Sequence, residues 1–366
     1  MHKNQGPVYY NDYLMLDQFL NCQQTLSKRH ATSENPESHE ETLFIVVHQA
    51  YELWFKQMLH DLNSILILFG KKEVPDTDLG TIVQRLERFT KIQNHISGQL
   101  EILETMTPMD FLEFRNLLIP ASGFQSTQFR EIEIKLGLNT HDRQNVDKEF
   151  FHGRLNQKDR DHLIALEGTP SLLRVVERWL ERTPFTKAKG FDFWSEYKKV
   201  VNQILLDDEK TIQTNFANLS EPEKKMQLDN LQTTRNTFDS LFNEEAHEAL
   251  VQAGLRKISQ KAILNALFIV LYREQPMLAL PYKIISLMMD IDENFTAWRY
   301  RHALLAQRML GTKIGTGGSS GHQYLKKAAD NNRVFADFFN LSTYLIPRSQ
   351  LPQIPEEVKR QLNFSS

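Results

Sequence analysis

The sequence predicts an all-α protein, a multi-helix bundle, on three observations. Apolar residues recur at helical spacing along almost the whole chain, whereas period-two alternation bounded by turn residues is hard to find. Glycine is scarce, 15 residues, and a third of it clusters near GTGGSSG (315–321), so few turns are available to join strands.

The elements follow in order. The first helical stretch is 8–26. The second, 42–69, puts Phe44, Val47, Tyr51, Phe55, Met58 and Leu59 on one face. Helices at 78–104 and 108–118 come next, the latter closed by Pro120. Ser122 with Gln125 three residues later forms a capping box, which predicts a helix over 123–137. Helices at 170–182, 191–215, 221–243, 244–253 and 258–273 follow. The stretch 279–310 is long enough that a break is expected, and 332–345 is the last. Two polar stretches interrupt the pattern. SKRHATSENPESHEE (27–41) reads as an exposed loop, and 140–162 as a mobile or partly helical connection. The whole chain, 1–366, is expected to form one domain, with 1–26 as an N-terminal arm and about 185–255, richer in charge, as a smaller helical subdomain.

Composition excludes several classes. Hydrophobic residues make up 41% and charged residues 24%, an ordinary globular balance. A net charge of −3, from 43 basic and 46 acidic residues, provides no electrostatic footprint for nucleic acid or anionic lipid. Cys22 is the one cysteine, so no intramolecular disulfide can form. The start, MHKNQGPVYYNDYL, has no apolar run behind a basic region, and no stretch approaches the roughly 18 apolar residues of a membrane span. A soluble, cytoplasmic protein is expected.

Two histidines stand out. In FIVVHQAYELWFKQML (44–59), His48 lies in the apolar stripe of its own helix, and in AWRYRHALLAQRML (297–310), His302 has Trp298, Leu305, Ala306 and Met309 on its face. Each alone reads as a satisfied core histidine. Two on two long helices, both beside aromatics, raise the alternative of a cofactor held between helices, because a neutral imidazole on an apolar face is what an iron needs as axial ligand. Arg115 ends an otherwise apolar helix that carries Phe111, Phe114 and Leu118, and either snorkels outward or grips a buried carboxylate in its two-pronged fork. GTGGSSG lacks the Lys-Ser/Thr ending and preceding strand of a phosphate loop. It reads as a linker, a helix stop, or a loop whose backbone amides and Thr316 hydroxyl close over a small polar ligand. Two Glu-x-x-His pairs, Glu149/His152 and Glu244/His247, have the spacing of a di-iron bundle but sit in charged surroundings that favour solvated faces.

Longer words carry more. YNDYLMLDQFL, LFIVVHQAYELWFKQML, ETMTPMDFLEFRNLLIPASGFQSTQFR, WRYRH followed by GTGGSSGHQYL, and FNLSTYLIPR occur in the order in which they stand in the tryptophan 2,3-dioxygenase family, which the chain resembles along most of its length. The resemblance implies a homotetrameric enzyme using haem b, ferrous in the active state, to insert both atoms of O2 across the indole C2–C3 bond of L-tryptophan, giving N-formylkynurenine. It further implies that His302 is the proximal haem ligand and that His48 hydrogen-bonds the indole N–H. Phe44 and Phe111 would line the ring slot, Arg115 would clamp the substrate carboxylate, and Thr316 would contact the substrate's amino-acid backbone. Ser122 would lie near a haem propionate, and Tyr10 and Tyr13 would reach into a neighbouring subunit's pocket. No nucleic-acid or membrane partner is implied.

The chain departs from the family words in places. Stretches 27–41 and 140–162 match none of them, His322 stands where many members have tyrosine, and LKKAADNNRVF is about one residue shorter than in animal members. These touch loop closure, not the reaction. Rival readings are a haem-containing sensor that holds tryptophan without turning it over, an indoleamine-type dioxygenase, the di-metal bundle, and a purely structural helical protein.

Overall fold

A computed structural model describes residues 6–138, 155–184, 187–188, 191–311, 313 and 321–362, and helices supply almost all of its regular structure. In chain order these are α1 (Tyr10–Leu14), α2 (Leu16–Phe19), α3 (Leu26–Arg29), α4 (Glu40–Phe69), α5 (Asp76–Leu103), α6 (Pro108–Arg115), α7 (Thr127–Leu136), α8 (Gln157–Glu167) and α9 (Leu172–Leu180). After them come α10 (Phe193–Asn215), α11 (Glu221–Phe242), α12 (Glu244–Gln252), α13 (Gln260–Leu271), α14 (Ala279–Leu310), α15 (Gly321–Asn331), α16 (Ala336–Phe339) and α17 (Glu356–Leu362). A two-residue hairpin, β1 (Lys187–Ala188) against β2 (Phe191–Asp192), pairs antiparallel with Lys187 opposite Asp192.

Three long helices make the frame. Helix α5 packs along both α4 and α14, α14 also packs on α15, and α7 lies on α4. The stripe read from sequence is the buried face of α4: Val47, Tyr51, Phe55, Met58, Leu59, Leu62, Ile65 and Phe69 all enter the core. One contiguous apolar cluster runs from these residues through Phe89 and Leu100 of α5 to Ile284, Met288 and Phe295 of α14. It also takes in Phe193, Tyr197, Val201, Leu205, Leu231 and Leu241, so the α10–α11 pair shares that core at its base. There the Tyr197 hydroxyl donates to the Tyr344 carbonyl.

Local chemistry fixes the ends. Thr107 and Asp110 form a reciprocal capping box at the start of α6, with Pro108 in its first turn. Gly137 ends α7 at φ +130, where a Cβ would stand 2.9 Å from the Leu173 Cβ, so both conformation and space require glycine.

The structure differs from the sequence reading in five places. The stretch 8–26 is not one helix: Met15 adopts the left-handed conformation (φ 53, ψ 40) and separates α1 from α2. Neither piece buries a residue in this chain, and helices this short gain too little from their own hydrogen bonds to stay continuous. The capping box at Ser122 starts only a 3-10 turn, Gly123–Gln125, and α7 begins one turn later with Ser126 accepting from the Phe129 amide. The expected break in 279–310 is absent. Pro281 falls in the first turn of α14, where its missing N–H is not needed, and no glycine interrupts the rest. The stretch 332–345 is a four-residue helix followed by the 3-10 turn Asn340–Tyr344. Within 27–41, most side chains are exposed, but the stretch is tied down: buried Glu41 accepts from the amides of Leu26 (2.7 Å) and Ser27 (2.8 Å). Helices α3, α8, α15 and α17 were not read from the sequence as separate elements.

Candidate functional site

Helix α4 brings His48 to the site. Its Nδ1 lies 2.7 Å from the Phe44 carbonyl one turn back. A carbonyl only accepts, so Nδ1 carries the proton, and the bare nitrogen of the neutral ring is Nε2, an acceptor. Burial lowers the pKa below 6.5, with the Phe44 carbonyl and the charge of Glu52 opposing, which keeps the ring neutral at physiological pH. His48 nonetheless retains accessible surface. A side chain that is desolvated and still accessible faces a recess, not open solvent.

Aromatic rings wall that recess. The Phe44 ring centroid is 4.1 Å from that of His48. Phe111 stacks on Phe44 at 5.8 Å, and fully buried Phe114 meets both edge-on at 5.5 Å. These separations suit aromatic pairs, and they join α4 to α6 through a slot of rings. Arg115, half-buried, is the last residue of α6 and stands four positions after Phe111, on the same face by helical spacing.

Helix α14 supplies the opposing wall. Burial drives the pKa of His302 down to about 4, and a charge on His48 would lower it further, so the two imidazoles belong to one electrostatic site although they are 254 positions apart. The Nδ1 of His302 is buried without a hydrogen-bond partner. Its ring lies 5.3 Å from Trp298, whose indole N–H donates to the Tyr51 hydroxyl at 3.3 Å.

Phe44, His48 and Phe111 thus form one aromatic cluster, with Arg115 on the α6 face that carries Phe111, and a charge on His48 is felt at His302. Ser122 is half-buried and engaged in its capping box: its amide donates to Gln125 Oε1 at 3.1 Å and its hydroxyl oxygen accepts from the Phe124 amide at 3.3 Å. Tyr10 and Tyr13 are not in this recess; they are 72% and 75% exposed on the arm, which presents Val8, Tyr9, Leu14, Met15 and Leu20 as well. Thr316 and most of its glycine loop lie outside the described residues, as do Glu149 and His152. His322 places Nδ1 3.1 Å from the Ala303 carbonyl, next to His302 in sequence. His247 is not on a solvated face: it is buried and bonds through Nε2 to the Ile258 carbonyl at 2.9 Å. Among the described residues no three metal-ligating side chains converge, which leaves the di-metal arrangement unsupported there.

Sequence reasoning missed a buried charge cluster behind the site. Glu133 of α7 accepts from Arg299 at 2.9 Å and from Arg130 at 3.2 Å, and Arg299 also donates to the Asn332 carbonyl at 3.0 Å. The signal was present: Arg299 lies three residues before His302, on a turn whose other side is apolar.

A helical bundle that sets one neutral imidazole against stacked phenylalanines and buries a second on another helix has the build of an enzyme for an aromatic ligand. Comparison with known proteins gives the family. The model for tryptophan 2,3-dioxygenase matches residues 1–345. The chain is 49% identical over 364 residues to the tryptophan 2,3-dioxygenase of Alteromonas mediterranea, covering 100% of this chain and 99% of that protein. It is 48% identical over 358 residues to the enzyme of Bdellovibrio bacteriovorus, covering 98% of each, and 46% identical over 362 residues to that of Dictyostelium discoideum, covering 99% of this chain and 89% of the relative. The chain belongs to the tryptophan 2,3-dioxygenase family.

Enzymes of this family depend on haem. The residues here fit that group. A haem-iron ligand must offer a neutral nitrogen from an apolar wall, and His302 is neutral down to about pH 4 and sits between Trp298 and buried Leu305.

Proposed function

We propose that the protein is a dioxygenase that inserts both atoms of O2 across the C2–C3 bond of L-tryptophan to give N-formylkynurenine, the first step of the kynurenine pathway. The observation that carries this reading is the match to the family along the chain, with His48 beside Phe44 and Phe111 and a neutral His302 on another helix. His302 would hold a b-type haem. Haem, ferrous when active, would supply the electron chemistry that lets triplet O2 react with a closed-shell ring.

The chain's own residues do the positioning. Nε2 of His48 is an acceptor because Nδ1 is spent on the Phe44 carbonyl, and the indole N–H of tryptophan is a donor. Phe44 and Phe111 hold the indole plane by stacking. Arg115 offers a planar fork to the substrate carboxylate, a geometry that lysine lacks. Thr316 holds the amino-acid backbone of the substrate, and Ser122 stands near a haem propionate. Together these contacts fix one enantiomer and one face of the ring, and the rate gain comes from orientation more than from proton transfer. His48, an orienting group, need not be a strong base.

The assembled enzyme is a homotetramer in the cytoplasm. Supporting the assembly, the arm exposes Tyr10, Tyr13 and a run of apolar residues that no described residue of the chain covers, and a second subunit is what such a surface needs.

The test is an absorption spectrum of the purified, reduced protein before and after adding L-tryptophan in air. A Soret band followed by growth of N-formylkynurenine absorbance is expected. A Soret band that shifts with tryptophan but yields no product would instead make the protein a tryptophan-binding haem sensor.

A further inference from the structure

Metal-bound histidines normally have their orientation set by a hydrogen bond from the second ring nitrogen to a carboxylate, carbonyl or water. His302 has none: its Nδ1 is buried without a partner, and no hydrogen bond to either ring nitrogen forms among the described residues. Among the described residues, the orientation of this ring rests on packing contacts. The one at hand is Trp298, one turn earlier on α14, whose indole lies 5.3 Å from the imidazole at an interplanar angle of 43°.

Trp298 is itself fixed from another helix. Its indole N–H donates to the Tyr51 hydroxyl at 3.3 Å, and that hydroxyl in turn donates to the Ile96 carbonyl of α5 at 2.5 Å. One buried oxygen thus ties α4, α5 and α14 together. Burial pushes the Tyr51 pKa up to about 12, so the hydroxyl stays protonated and the donor–acceptor directions are fixed. Phe129 of α7 closes the other side of the indole at 5.3 Å. Tyr51 stands three residues after His48 on α4, so the hydroxyl that seats Trp298 comes from the turn next to the imidazole on the opposing wall.

We propose that Tyr51 is a positioning residue: through the indole of Trp298 it sets the orientation of the His302 imidazole, and it does so from the helix that carries His48. This rests on the reading of His302 as the haem ligand. The relation between the two walls is then held by one hydroxyl and one indole N–H acting in series. A series device makes a specific demand: cutting either link releases the ring, and cutting both releases it no further.

The experiment uses full-length protein loaded with haem, in wild-type form and as Tyr51→Phe, Trp298→Phe and the double variant. Tyr51→Phe keeps the ring and removes only the hydroxyl, whereas Trp298→Phe removes the N–H and also shrinks the ring that meets His302. Three quantities are read: the rate of haem loss to an excess of a haem-scavenging apoglobin, the reduction potential of the haem, and kcat and KM for L-tryptophan. Each single variant is expected to lose haem about tenfold faster, with a shifted potential and a lowered kcat, while KM stays within about twofold. The double variant is expected to match the singles. If the singles keep the wild-type potential and haem-loss rate, or change only the melting temperature, Tyr51 is a structural residue and the proposal is overturned. Effects that add in the double variant also overturn it, because the two links would then act independently. Should Tyr51→Phe fail to fold, a wild-type potential and haem-loss rate in Trp298→Phe overturn the proposal by themselves. Wild-type protein that takes up no haem would overturn the functional reading itself, a result that no variant could mimic.

Discussion

Arg299 and Glu133 meet at 2.9 Å in the interior although 166 positions separate them. The same carboxylate accepts from Arg130, and all three side chains are buried. A cluster of this kind is weak evidence of net stability, because desolvation offsets most of the attraction, but removing one member from it is expensive. Glu133→Ala should therefore destabilise the protein by about 3–5 kcal/mol, read from the urea midpoint, since two buried guanidiniums lose the carboxylate they share. Arg299 lies one turn before His302, so the same variant should also retain less haem. A loss under about 1 kcal/mol would mean that the cluster is open to water.

Gly137→Ala should cost about 2–3 kcal/mol, again by denaturation. The new methyl would stand 2.9 Å from the Leu173 Cβ on a backbone at φ +130. Gly254, also at positive φ but with nothing within 4 Å of its Cβ position, is the control and should lose less when changed to alanine.

The pH dependence of the haem-free chain follows from His302. Its folded pKa of about 4 lies below the unfolded 6.5, so between those values the unfolded chain binds the proton and the folded one does not. Stability is therefore full above pH 6.5, falls as pH drops toward 4, and levels off below it. The separation is worth at most about 3.5 kcal/mol, at about 1.4 kcal/mol per unit. His48, also lowered by burial, contributes in the same direction. His302→Leu should flatten the slope, and an unchanged slope would move its origin to other groups.

Arg115 separates charge from shape. Arg115→Ala should raise KM for tryptophan strongly with little change in the Soret band, and Arg115→Lys should recover only a small part of the loss, because an ammonium cannot grip a carboxylate with two parallel bonds. Full recovery by lysine would reduce the role to a point charge.

His48→Ala should lower kcat/KM by about tenfold, the scale of one hydrogen bond, and leave haem content intact. A loss near a thousandfold would make His48 a base in the reaction and not an orienting group.

The sequence by itself determined the class of fold and the family, and it singled out the residues proposed for the site. A 3.6-residue apolar period is a local property, so the stripe of α4 and the long run of α14 were legible, and so was the oddity of two polar rings within them. Family words such as LFIVVHQAYELWFKQML then linked those rings to a reaction. Local capping was legible too, although the box at Ser122 proved to start a 3-10 turn and not α7. Only the tertiary structure decided what depends on neighbours far along the chain. The arm breaks at Met15 because it has no core of its own to lie on, and α14 runs through because its buried face is continuous. That Glu133 reaches Arg299 and that Tyr51 holds Trp298 are facts of helix packing. Pattern in sequence fixes which face of a helix turns inward; the partner that face meets is set by side-chain fit between helices, which no local period encodes.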